Sequence, residues 1–237
     1  MGLFDLFMSE EKRIAKSARK LINRDAQPED REEAARWLAN LGKPQAILSL
    51  LQRFDMKLEH QLKDAGEKEL ISHLVMGLGG DAEEPLRVWL RQCKQPAVPL
   101  RLLGELCGED AAIGMACEIL DIERARDDFK PAKKKTVLIW LGDRRDPRCT
   151  TAAQLFLDDF DEGVRFAAVQ TLLCQRGEEA RAPLWELLAD PEEDSNRLRV
   201  EILSGFVQRG WRAAGELPVE VVIPSGFAIR DGAVVRT

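Results

Sequence analysis

The stretch Arg31-Glu-Glu-Ala-Ala-Arg-Trp-Leu-Ala-Asn-Leu-Gly42 places Ala34, Trp37, Leu38 and Leu41 at i, i+3, i+4 and i+7, the spacing of one face of a helix. It ends on a glycine, and Pro44 follows two residues later. Glycine takes the left-handed conformation that closes a helix, and proline is preset for the first turn of the next one. The reading is therefore a helix, a tight turn and a second helix, and Ile47, Leu50, Leu51 and Phe54 supply that second apolar stripe.

The unit recurs along the chain. Ile71, Leu74, Val75 and Leu78 repeat the spacing, as do Leu86, Trp89, Leu90 and Cys93, then Ile113, Ala116, Cys117 and Leu120, then Ala153, Phe156, Leu157 and Phe160. Taking Gly42, Gly79, Gly108, Gly142, Gly177 and Gly210 as markers, the intervals are 37, 29, 34, 35 and 33 residues, the length of one helix pair with its turns. Five pairs are expected, at 29–54, 64–93, 96–121, 131–159 and 161–189, followed by a lone helix at 194–209. One such pair cannot bury its apolar face alone, so pairs stack on their neighbours. The expected fold is an all-α solenoid with a polar surface open to partners.

Composition agrees. Of 237 residues, 45% are apolar, 32% charged and only 6% aromatic, with no tyrosine, which favours amphipathic helices over a sandwich or barrel. The net charge of −6 argues against a surface built to neutralise a phosphate backbone. Cys93, Cys107, Cys117, Cys149 and Cys174 are odd in number, lie in apolar stretches and form no CxxC pair. They read as small core residues in a reducing cytoplasm. No apolar run reaches the roughly 20 residues that span a bilayer, so a cytoplasmic location is expected.

Two segments carry a specific resemblance. Arg31 to Gly42 and Asp161-Glu-Gly-Val-Arg-Phe-Ala-Ala-Val-Gln-Thr-Leu-Leu173 resemble the first helix of HEAT repeats of the short type shared with phycobilin-lyase proteins. Asp161, Val164, Arg165, Ala168 and Leu172 match that pattern, as do Arg31, Ala34 and Leu38; Glu29-Asp30 departs from it, and the repeats between keep the helix pattern without the Asp and Arg. The resemblance, which runs from about residue 28 to 209, implies an armadillo/HEAT-type superhelix whose Asp and Arg ladder between neighbouring repeats. It also raises two related activities, a bilin lyase and a HEAT-like alkylpurine DNA glycosylase. A glycosylase needs a basic face with exposed aromatics; Trp37, Trp89 and Trp140 fall on buried-face positions, leaving Trp185 and Trp211 as the tryptophans open to exposure.

Chemistry is sparse. His60 and His73 are the two histidines, and no HExxH, GxSxG or phosphate loop occurs, so neither a catalytic site nor a metal or cofactor site is expected. The carboxylate pairs Asp127-Asp128 and Asp158-Asp159 and the run Glu192-Glu193-Asp194 fall at expected turns, where solvation and helix capping explain them.

Charge is unevenly spread. Residues 124–148 hold nine cations against four acids, whereas 155–194 hold eleven acids against three cations. Such fields steer partners. Lys133, Lys134, Lys135, Arg144, Arg145 and Arg148 are therefore the candidate partner-binding residues, with charge reversal at the first five expected to leave stability nearly unchanged. Residues 1–24 join Leu3, Phe4, Leu6, Phe7 and Met8 to a basic helix pattern, read as a capping helix over the first repeat or as an interfacial anchor. Residues 210–237 form a tail in which Asp231-Gly232, between two apolar runs, signals a β-hairpin. The functional expectation is a non-enzymatic scaffold or adaptor for a protein partner, with no nucleic acid bound. The alternative is an adaptor held at a membrane surface by residues 1–24.

Overall fold

A computed structural model of the chain describes residues 9–126, 130–175 and 177–237. They form twelve α-helices and one two-stranded sheet, the all-α solenoid class with a C-terminal hairpin. The chain divides into two compact units, residues 1–122 and 123–237.

The first unit holds α1 (Glu10–Leu21), α2 (Pro28–Leu41), α3 (Pro44–Leu51), α4 (Gln61–Gly77), α5 (Glu83–Gln92), α6 (Ala97–Cys107) and α7 (Glu109–Ala125), whose last turn crosses the division. The pairs are α2 with α3, α4 with α5, and α6 with α7. First helices stack in one layer, α2 on α4 on α6, and the second helix α3 meets α5. The α1 helix touches both α2 and α3, as α3 touches α4 and α5, so it stands where the second helix of a preceding pair would stand. Ile14, Ala18 and Leu21 of α1 are buried there. Burying such stripes provides most of the helical stability, because short helices are marginal alone in water. Leu38, Ile47, Leu50, Leu51, Leu86 and Leu90 form the middle of this core.

The second unit holds α8 (Pro131–Gly142), α9 (Pro147–Gln154), α10 (Glu162–Cys174), α11 (Arg181–Ala189) and α12 (Asn196–Arg209). Here α8, α10 and α12 are the stacked layer. Strands β1 (Phe227–Arg230) and β2 (Ala233–Arg236) pair antiparallel with Arg230 opposite Ala233, and β2 packs on α12. The turn residues Asp231 and Gly232 have φ of 48° and 76°, the two positive values a type I′ hairpin turn requires.

Several expectations are corrected. Gly142 and Gly177 do not have the positive φ of Gly42 and Gly210. Gly142 instead permits a close approach, since a Cβ there would lie 3.5 Å from the Thr171 Cα of α10. Phe160 is 82% exposed: α9 stops at Gln154 and the chain turns through 155–158, so the helical spacing that would have aimed Phe160 inward lapses. Trp185 and Trp211 are buried. Phe206 of α12 lies between them, 5.4 Å from each ring, because the chain after Gly210 folds back over α12 and supplies cover that helical periodicity does not register. Trp37 is only half-buried, with the Arg13 guanidinium 5.1 Å from its ring. Cys174, at the end of α10, is exposed, and Cys107 and Cys117 are half-buried.

Candidate partner-binding surface

One register position recurs along the stacked first helices, their fourth residue. These residues are Arg31, Asp64, Leu100, Lys134, Arg165 and Arg199. Four are cations, and in the second unit three of them form a continuous ladder. The Lys134 Nζ donates to Asp159 Oδ2 at 2.8 Å. The Asp159 main-chain carbonyl accepts from Arg165 Nη1 at 2.9 Å. Arg165 then grips Glu193 through Nε and Nη2, at 2.8 and 3.0 Å. The Glu193 carbonyl accepts from Arg199 Nη2 at 2.7 Å, and Arg199 Nη1 reaches the Val222 carbonyl of the C-terminal tail at 3.2 Å. Arg165 thus ties the turn before its own helix to the segment that follows its own helix pair, and Arg199 ties the turn before α12 to the C-terminal tail. Planar guanidinium groups suit this bridging, since they hold donors in a fixed fork. Burial works against the charge of Arg165, but its hydrogen bonds to Glu193 together with the negative charges of Glu193, Asp194 and Glu162 outweigh it, and the pKa is raised.

The helix starts are prepared locally. The Asp161 carboxylate accepts from the Val164 amide at 3.0 Å, and the Ser195 hydroxyl accepts from the Leu198 amide at 3.2 Å. Such caps satisfy amides that have no partner inside the helix.

The first unit uses the same position differently. Arg31 donates to both Glu67 oxygens and, through Nη1, to main-chain carbonyls of Asn23, Arg24 and Ala26. Arg53 is fully buried and donates to Glu67, to Asp64 and to the Met56 carbonyl. Burial pushes the Asp64 and Glu67 carboxyls upward. The hydrogen bonds from Lys68, Arg53 and the Leu58 amide to Asp64, and from Arg31 and Arg53 to Glu67, outweigh it, and both pKa values fall below the ordinary range. A cavity of about 260 Å³ adjoins this cluster, lined in part by Arg31, Gly66 and Glu67.

The basic stretch of residues 124–148 is largely committed to the fold. Lys133 is buried and lies 3.2 Å from Glu123, itself 1% exposed. Lys134 belongs to the ladder, and Lys135 lies 3.4 Å from Asp161. Arg144 stacks 3.3 Å from the centre of the Trp140 ring and donates to the Trp140 carbonyl. Arg148 makes a two-pronged bond with Asp146, at 2.9 and 2.8 Å, and this bond holds the Asp146 carboxyl below its usual range. Arg145 is exposed, with its guanidinium Nη1 donating to the Gly142 and Arg144 carbonyls. Charge reversal at Lys133, Lys134, Lys135, Arg144 and Arg145 would therefore cost stability, contrary to the sequence expectation, because Lys133 and Lys134 face buried or half-buried carboxylates.

Arg145 stands at the rim of a polar groove of about 530 Å³, lined also by Thr150, Thr151, Gln154, Gln175 and Glu179. Its walls are α9 and the turn between α10 and α11, joined where Gln154 Nε2 donates to the Glu179 carbonyl at 3.2 Å. Sequence reasoning missed this groove, because its residues come from segments about 25 positions apart with no shared pattern. It also missed Arg199, although a signal exists: Arg31 and Arg199 each stand eleven residues before a helix-ending glycine, Gly42 and Gly210.

Other candidate groups take structural places. His60 caps α4 through Nδ1, accepting from the Lys63 amide at 3.4 Å, and His73 is exposed on the same helix. Glu193, read from the sequence as a solvated turn residue, is a buried ion-pair partner; Asp127 and Asp128 lie outside the described residues. Among the described residues no group of three or more His, Cys, Asp or Glu could hold a metal ion, and no helix is long and apolar enough to cross a membrane.

No curated protein matches the chain. A family model for HEAT repeats matches residues 122–204, the segment that carries the ladder from Lys134 through Arg165 to Arg199. With first helices stacked and cations bridging successive repeats there, residues 122–204 are HEAT repeats.

Proposed function

We propose that this chain is a non-catalytic scaffold or adaptor, acting in the cytoplasm, that holds a protein partner on its solenoid surface, with the groove beside α9 as a principal contact. The observation that carries the reading is the contrast within the basic stretch: Lys133, Lys134 and Arg144 are engaged inside the fold, while Arg145 is exposed at the rim of a polar groove of about 530 Å³. Stacked repeats leave such inter-helix grooves by construction, and HEAT repeats commonly serve protein interaction. Thr150, Thr151, Gln154 and Gln175 offer hydrogen bonds to main-chain groups of an extended segment, and Arg145 with the half-buried Lys135 and Arg148 favours an acidic partner by steering.

The test compares affinity purification from native cells using the parent chain and the variant Arg145→Glu/Thr151→Ala. Proteins retained by the parent and lost from the variant, with capture weakening as salt rises, support the groove. An identical set from both chains refutes it. Equal melting of the two proteins keeps the comparison interpretable.

A further inference from the structure

We infer that the groove beside α9 binds an extended peptide segment of mixed charge, with an acidic side chain at its Arg145 end and a basic one about four residues away at its Glu179 end. The inference rests on that groove being a protein contact and supplies the chemistry of the contact.

Arg145 is the end that takes the acid. Its Nη1 donates to the Gly142 and Arg144 carbonyls, at 2.9 and 3.2 Å. Two acceptors on one nitrogen fix the plane of the guanidinium, and among the described residues no acceptor meets Nε or Nη2. Those two nitrogens form an edge that holds a carboxylate through two parallel bonds. The adjacent Asp146 is already taken, since it accepts from the Arg148 amide, Nε and Nη2 at 2.9, 2.9 and 2.8 Å. The exposed edge of Arg145 is thus left for an acid brought from outside.

Glu179 is the opposite end. Gln154, the last residue of α9, donates through Nε2 to the Glu179 carbonyl at 3.2 Å, whereas Arg145 stands two residues before the first, Pro147. The eight residues of α9 rise about 12 Å, the length of about four residues of extended chain. Glu179 is exposed and pairs with no cation among the described residues, Arg181 being engaged by Glu178. Opposite charges at the two ends give the groove a direction, which a uniformly acidic segment does not match.

Between the ends the groove is polar. Gln175 is only 4% exposed, its Nε2 donates to the Thr171 carbonyl at 3.2 Å, and its Oε1 accepts no bond among the described residues. A buried acceptor left open is uncommon in a folded chain, and a main-chain N–H of a bound segment completes it. An extended segment has amides to give, whereas a helix has spent its own. Nor does any large apolar side chain among the described residues line the groove to receive the apolar face of a helix.

The test pans a phage library of random heptapeptides on the immobilised full chain, then measures the selected peptides, synthesised and labelled, by fluorescence anisotropy. The expected peptides share an acid and a base about three to five positions apart. Replacing the peptide's acid by its amide should weaken binding to the parent about tenfold and leave binding to Arg145→Gln unchanged. Arg145→Lys, which keeps the charge without the fork, should behave as Arg145→Gln does. Replacing the peptide's base by glutamine should weaken binding to the parent about threefold and leave binding to Glu179→Gln unchanged. All three variants alter exposed side chains, so equal melting is the control. Selection of no peptide, selected peptides without the acid and base, or independent effects of peptide and protein changes at either end overturn the inference. If selected peptides of another pattern still lose binding to Arg145→Glu/Thr151→Ala, the groove stands as a contact and only its charge pattern falls; equal binding to that variant refutes the groove itself.

Discussion

Arg165 shows how one side chain can join repeats. Its partner Glu193 is only 5% exposed, so removing the guanidinium leaves a carboxylate stranded away from water. Breaking such a pair costs about 3–5 kcal/mol. Arg165→Leu should lose that much, measured by urea unfolding, and Arg165→Leu/Glu193→Leu should recover part of it because no charge is then left unpaired. Lys133 makes the same argument with opposite sign: Lys133→Glu sets a second carboxylate beside the buried Glu123 and should be at least as damaging, whereas Arg145→Glu at the exposed rim should change stability by less than about 0.5 kcal/mol. Trp89 is 8% exposed, and Trp89→Ala empties a large core site at a cost of about 3–5 kcal/mol. A Trp89→Ala protein that melts with the parent would show that the second pair's apolar face is not packed as described.

At the scale of elements, the joint between α2, α3 and α4 depends on ionised Asp64 and Glu67. Both have folded pKa values below their ordinary ones, so they bind protons more weakly when folded than when unfolded. Their contribution is therefore complete above the unfolded values of about 4 and is lost as pH falls through the lower folded values. Stability should drop between about pH 5 and the acid limit. In Glu67→Gln that drop should be shallower, from a lower starting stability, and an unaltered acid limb would exclude Glu67 as its source. The C-terminal hairpin is an element of another kind. It covers α12 where a further second helix would stand, and Arg199 reaches the Val222 carbonyl as Arg165 reaches Glu193.

For the whole molecule, stacked repeats imply stability built from neighbour contacts, so damage stays local before it spreads. Hydrogen exchange on Arg165→Leu should accelerate first in α8, α10 and α12, while α2–α5 of the first unit keep their protection. Uniform acceleration in both units would instead indicate a single cooperative block.

What the sequence determined by itself was the set of repeating elements. Helix periodicity, helix-ending glycines and following prolines are local signals that located the five pairs and the helix ending at Gly210 within a few residues, and Asp231-Gly232 between two apolar runs located the hairpin. The resemblance at Arg31 and Arg165 also pointed correctly at residues that join repeats. Tertiary structure alone decided which charges are available. Lys133 and Lys134 are adjacent to Lys135 in a run that reads as one patch, yet their partners Glu123 and Asp159 lie 10 and 25 residues away. Burial of Trp185 and Trp211, exposure of Phe160 and the groove beside α9 were decided in the same way. Periodicity records which face of a helix is apolar, but whether a charge is paired or a ring is covered depends on what distant segments the fold lays against it.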